Sequence, residues 1–139
     1  MRVNSFRKIY RLPFWIIFPQ GRRPGYLRTL IFKFLEGDVR DVEFVESYFD
    51  QFRPTHVVHA AASYADPYDW TGDFETNTRG SLNVAQAAEK AGVSHLIYLQ
   101  TALGYGKPTV TPIPLRHSLQ PTTSYSISKV AGEYYILGS

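Results

Sequence analysis

Tyr125 and Lys129 stand four apart in TSYSISK, residues 123 to 129. On a helix, residues at that spacing share a face, so a phenol and an ammonium would meet at one spot. An ammonium beside a phenol favours the phenolate and draws its pKa down from about 10, which turns an ordinarily inert side chain into a general base. The same spacing is equally that of two exposed positions on an amphipathic helix. Thr101 ends an apolar run, HLIYLQ, where its hydroxyl could steady a reacting oxygen beside the phenol. Asn77, in NTRGSLN, lies early in a helical stretch, where its amide could hold a water or a backbone carbonyl or simply cap a turn. Asp38 follows another apolar run and could accept from an adenine amino group or close a turn. Ala60, Ala61 and Ala62 are small enough to let backbone approach a flat ligand, and small core packing would explain them as well.

These residues need a frame, and the pattern of apolar positions supplies one. Thr29 to Leu35 (TLIFKFL) predicts a buried strand that Gly37 and Asp38 end. Val42, Val45, Phe49 and Phe52 recur at helical spacing behind Asp41, a good cap, and Pro54 stops the helix. HVVHA, 56 to 60, is short and β-branched and predicts a strand covered on both faces. An irregular acidic stretch through Asp73 precedes a helix over Phe74 to Ala91, closed by Gly92. His95 to Gln100 predicts the next strand, and a loop rich in glycine and proline leads to a last helix from Thr123. Strand, helix, strand, helix, strand, loop, helix is the order of an α/β fold with an open parallel sheet and flanking helices. Ligands in such sheets bind beyond the carboxyl ends of the strands, where Asp38, Ala60 to Ala62 and Thr101 all fall.

Composition sets the outer limits. At 139 residues, with 44% hydrophobic and 15% aromatic residues, the chain suits one globular domain. It has no cysteine, which excludes disulfides and thiolate metal sites and makes a reducing cytoplasm the expected setting. His56, His59, His95 and His117 lack ligand spacing, so no metal site is expected. No apolar run has the length of a membrane span. The net charge of +3 hides an asymmetry: eight of the fifteen basic residues precede Leu35, where there is no acid, and all twelve acids follow it. A nucleic-acid arm, a targeting peptide, or sequence foreign to the fold would each explain that segment. No nucleic-acid partner is expected.

EGDVRD (36 to 41), HAAA (59 to 62), NTRGSLN, QTALGYG (100 to 106) and SYSISK (124 to 129) occur in the order and spacing of the extended short-chain dehydrogenase/reductases. Over about residues 30 to 135 the chain resembles the NAD-dependent epimerase/dehydratase members of that family. The resemblance implies a Rossmann-type fold and NAD as cofactor. It implies Thr101, Tyr125 and Lys129 as a catalytic set, with Asp38, Val39, Ala60, Ala61, Ala62, Asn77, Tyr125 and Lys129 on the cofactor side. It also implies a nucleotide-sugar substrate and, as a possible assembly, a homodimer. Dehydratases of the family place an Asp-Glu pair after the threonine, and Ala102 and Leu103 stand there in this chain, neither able to move a proton. A 4-epimerase or simple reductase is the expectation, in a subgroup tied to surface-polysaccharide sugars. A catalytically inactive remnant that only pairs with another subunit is the alternative.

The resemblance also exposes a gap. The family opens with a strand, a glycine-rich turn and a helix that cradle pyrophosphate, and residues 4 to 17 hold NSFRKIYRLPFWII instead. Residues 1 to 28 are therefore expected to be an atypical basic segment, frameshifted or disordered, and 29 to 139 a partial NAD-binding domain. The sugar-binding lobe of the family would lie beyond Ser139, so the chain alone is expected to be inactive.

Overall fold

The computed structural model describes residues 12–13 and 35–138. The basic segment lies outside these residues but for Leu12–Pro13 (β1), which pairs antiparallel with Glu36–Gly37 (β2). The strand expected over 29 to 35 also lies outside them, except Leu35.

Helix α1, Val42–Phe52, forms where the spacing of its apolar residues places it. Asp41 Oδ1 accepts from the Phe44 amide at 3.0 Å and so occupies one of the orphan donors of the first turn. At the other end Arg53, in the left-handed conformation with φ 44°, donates its amide to the Phe49 carbonyl at 2.9 Å. Strands β3 (His56–His59) and β4 (His95–Tyr98) are parallel neighbours, with His56 opposite His95 and His59 opposite Tyr98.

The helical run between them starts earlier than the sequence predicts. It opens at α2, Trp70–Asp73, because Asp69 caps it by accepting from the Gly72 amide at 2.9 Å. It continues through a π-helical segment, Phe74–Arg79, into α3, Gly80–Ala91. Gly92, at φ 69°, ends it as expected. The stretch through Asp73 is thus partly helix rather than irregular. Short segments of π-helix insert one extra residue into the turn and are frequent at functional sites.

A 3₁₀ turn, Ala102–Tyr105, follows β4, and α4 runs from Ser124 to Leu137. Thr123 caps α4 reciprocally with Ser126: the Ser126 amide donates to Thr123 Oγ1 at 3.2 Å, and the Thr123 amide to Ser126 Oγ at 3.0 Å.

Val39, Val45, Tyr48, Phe49, Val57, Ala61, Val84, Ala87 and Ala88 form the core between α1, α3 and one face of the sheet. Strand β3 was expected to be covered on both faces, and its burial instead alternates. Val57 and His59 are buried while Val58 is 42% exposed, and Ile97 on β4 is 56% exposed. The reason is one-sided packing among the described residues, because α1, α3 and α4 all meet the Val57/His59 side.

Candidate active site

The carboxyl ends of β3 and β4 are tied to α4 by a layer of buried polar groups. Asn77, in the π segment, is fully buried and satisfied on both sides of its amide. Its Oδ1 accepts from the Ser63 amide at 2.7 Å, and its Nδ2 donates to the Ser63 carbonyl and to Ser128 Oγ, each at 3.0 Å. Thr78 Oγ1 donates to the Ser128 carbonyl at 3.0 Å. Ser81 Oγ donates to the Asn77 carbonyl at 2.6 Å, and His59 Nε2 lies 2.9 Å from the same hydroxyl. Since the Ser81 proton points at Asn77, His59 is the donor to Ser81 and carries its proton on Nε2. Burial, with the Lys129 charge nearby, lowers the His59 pKa to about 3, so the ring is neutral. Gly132 permits this close approach. A Cβ there would come within 2.8 Å of Ser81 Oγ and 2.9 Å of the Tyr98 hydroxyl, and closer still to the Asn77 carbonyl.

This layer fixes the start of α4 and with it Tyr125 and Lys129. Tyr125 is half-buried, and its ring meets that of Tyr64 edge-on with centroids 6.4 Å apart. Its pKa is raised, chiefly by burial, with the Asp73 and Tyr64 charges adding to the rise and the nearby Thr101 hydroxyl opposing it. The sequence led us to expect the reverse, a phenol brought down by Lys129. The reason is the course of the lysine side chain. Lys129 is 1% exposed, and its ammonium sits over the Tyr98 ring, 3.9 Å from the centroid. Burial lowers its pKa to about 8 against a smaller, opposing pull from Glu133.

Thr101 caps the 3₁₀ turn, its Oγ1 accepting from the Leu103 amide at 3.2 Å. Gln100 holds it in place: Oε1 accepts from the Thr101 amide at 2.8 Å, while Nε2 donates to Glu133 Oε2 at 2.7 Å and to the Lys129 carbonyl at 3.3 Å. The Thr101 hydroxyl lies near enough to the Tyr125 phenol to oppose the rise in its pKa, and Lys129 is one turn further along α4.

The expected cofactor-side residues divide. The Asp38 carboxylate accepts from Arg40 Nε at 2.9 and 3.0 Å and from the Arg40 amide at 2.9 Å. Burial would raise its pKa, but these hydrogen bonds and the guanidinium charge outweigh it and hold the carboxyl below its usual range. Val39 is buried under Gly80, and its carbonyl accepts from Asn83 Nδ2 at 2.9 Å. Ala60 is exposed, Ala61 belongs to the core and Ala62 is half-buried.

A cleft of about 500 Å³ opens beside Tyr125, lined by Tyr64, Trp70, Asp73, Leu103 and Thr123 among others. The sequence reading passed over Ser63, Asp73, Asn83, Gln100 and Ser128. For Asn83 a signal existed, since it closes the NTRGSLN run on the face that returns to Val39. The others depend on which loop meets which helix, and local spacing carries no record of that. Among the described residues no group of three or more acidic or histidine side chains could hold a metal ion, and no helix is long and apolar enough to cross a membrane.

The fold is that of an α/β domain with a parallel sheet, and the chain belongs to the NAD dependent epimerase/dehydratase family, whose model matches residues 7–138. Among curated proteins it is 33% identical over 107 residues to a UDP-glucose 4-epimerase of Lacticaseibacillus casei, covering 73% of this chain and 31% of that protein. Among solved structures it is similar to the Bordetella bronchiseptica enzyme WbmG in complex with NAD, at 54% identity and a TM-score of 0.74, over 76% of this chain and 34% of that one. WbmH of the same organism, in complex with NAD+, matches at 45% identity and a TM-score of 0.72, over 75% of this chain and 35% of that one. The chain thus spans about a third of the length of the relatives it matches.

Proposed function

We propose that this chain carries the catalytic tyrosine and much of the NAD-binding surface of a nucleotide-sugar 4-epimerase. The observation that supports it most is the convergence of Thr101 and Tyr125 beyond the end of β4, one helical turn from the buried Lys129, within a fold shared with NAD complexes. The similarity to a UDP-glucose 4-epimerase, and to WbmG, which is also known in complex with NAD and UDP, supports the substrate class.

The residues at the strand ends fit a dinucleotide. Exposed Ala60 and half-buried Ala62 leave the backbone beyond β3 open to a flat ligand, and Asp38 offers carboxylate lone pairs at the end of β2. Tyr125 and Lys129 would hold the nicotinamide ribose. NAD, when bound, supplies the hydride acceptor for oxidation at a sugar carbon and returns the hydride afterwards.

Tyr125 is the proton acceptor. Its phenol lines the cleft, so a sugar hydroxyl there can pass its proton to the phenolate oxygen, with Thr101 orienting that hydroxyl. The raised pKa of the phenol means that the base form has to be favoured by positive charge, and Lys129, one turn away, is the nearest candidate on the same helix. Swinging the ammonium off the Tyr98 ring toward the phenol would supply that charge. Ala102 and Leu103 flank Thr101 without an acid or base, which favours epimerisation over water elimination.

Thermal unfolding with and without millimolar NAD tests the reading. Protection by NAD that Lys129→Ala abolishes is the expected result. No protection of the wild-type chain would overturn it and favour a module that only pairs with another subunit.

A further inference from the structure

Asp73 is buried to 1% exposure at the junction of α2 and the π segment, and neither of its carboxylate oxygens makes a hydrogen bond among the described residues. Burial raises its pKa. The Ser124 and Ser63 hydroxyls are near enough to offset part of that, while the Asp69 and Asp66 charges add to it. Leaving a buried carboxylate without a close donor is costly for a fold. Asp73 nevertheless lines the 500 Å³ cleft that also holds Tyr125, and its charge is felt by the phenol. The walls around it are aromatic: Tyr64, Tyr68 and Trp70 are 74%, 87% and 68% exposed and all face the cleft. A pocket with broad apolar walls and a few convergent polar groups suits a ring with apolar faces and a hydroxylated edge.

We propose that Asp73 is a specificity-determining residue that accepts a hydrogen bond from a hydroxyl of a neutral hexopyranose ring held between the cleft aromatics beside Tyr125. The assignment rests on the sugar-directed function above and adds a residue and a selectivity to it. A carboxylate can only accept, so it rewards a hydroxyl and repels a ligand carboxylate at the same point. With Asp66 and Asp69 close by, the site discriminates against a hexuronate.

Saturation-transfer NMR on the full chain, with D-glucose and D-glucuronate as separate probes, tests this without depending on NAD. The wild-type chain should bind glucose in preference to glucuronate. Asp73→Asn should weaken glucose by about tenfold and narrow the preference, because the amide no longer repels the uronate. The ligand-free Tm of the variant should equal or exceed that of the wild type, as for removal of a group the fold does not use. An unchanged glucose affinity, a wild-type chain that binds no glucose, or a variant Tm lower by several degrees would each overturn the proposal. Absence of NAD protection with the glucose results intact would instead overturn the cofactor reading and leave the role of Asp73 standing.

Discussion

Asp73 and Asn77 are four residues apart on one helical run, both are buried, and the fold treats them in opposite ways. The Asn77 side chain makes three hydrogen bonds that join the loop after β3 to α4, and the Asp73 carboxylate makes none among the described residues. A buried polar group with every valence met holds the structure together. One left unmet costs stability and has to be accounted for by something other than folding. Lys129 falls with Asp73, as its lowered pKa records a charge that the interior does not favour. The polar layer around Asn77 is thus the scaffold, and the groups it carries toward the cleft are the strained part.

Removing the clamp tests the scaffold most severely. Asn77→Ala leaves the Ser63 amide and carbonyl without their partner in a buried site, and each loss costs about 1–3 kcal/mol. Urea unfolding should show a loss of roughly 3 kcal/mol or more, and an unchanged midpoint would deny that Asn77 organises the site. Gly132→Ala should follow at about 2 kcal/mol, since its Cβ would press on the Asn77 carbonyl, which is backbone and cannot swing aside.

Substitution of Lys129 should move stability the other way. Its pKa is about 8 in the folded chain against 10.5 in an unfolded one, so between those values the unfolded state binds more protons. Stability therefore rises as pH increases from about 8 to 10.5 and is lowest, from this group, below pH 8. Lys129→Met should raise Tm at pH 7 by roughly 5 °C and flatten the rise above pH 8, while abolishing protection by NAD. A lower Tm at pH 7 would place Lys129 with Asn77 as part of the scaffold.

What the sequence made legible follows the same division. Local signals placed α1 behind Asp41, the closure at Gly92 and the start of α4 at Thr123, because caps and apolar spacing are written within a few residues. The early start at Trp70 was also written, in Asp69 and Gly72, but the acidic character of that stretch hid it. Tyr125, Lys129, Thr101 and Asn77 could be singled out as chemical groups, whereas their states could not. The Lys129 ammonium lies over Tyr98, 31 positions earlier in sequence, and the phenol is raised chiefly by burial, with Asp73 and Tyr64, both distant in sequence, adding to the rise. The π segment has no local signature and becomes visible only once Asn77 must reach both Ser63 and Ser128.

The smallest effect is the most discriminating between scaffold and site, and it comes from Glu133. This carboxylate touches both sides: it accepts from Gln100 Nε2, which positions Thr101, and its charge pulls the Lys129 pKa upward against burial. Glu133→Gln keeps an oxygen acceptor for Gln100 and removes only the charge. Glu133 and Gln100 meet at the surface, where a single ion or hydrogen-bonded pair contributes little, so Tm should stay within about 1 °C. The Lys129 pKa, followed by NMR of its side-chain carbons, should nevertheless fall below that of the wild type. An unmoved titration would mean that burial alone sets the state of the ammonium. A downward shift at constant Tm would show that the electrostatics of the cleft can be tuned without touching the Asn77 clamp, as a separation of scaffold from site requires.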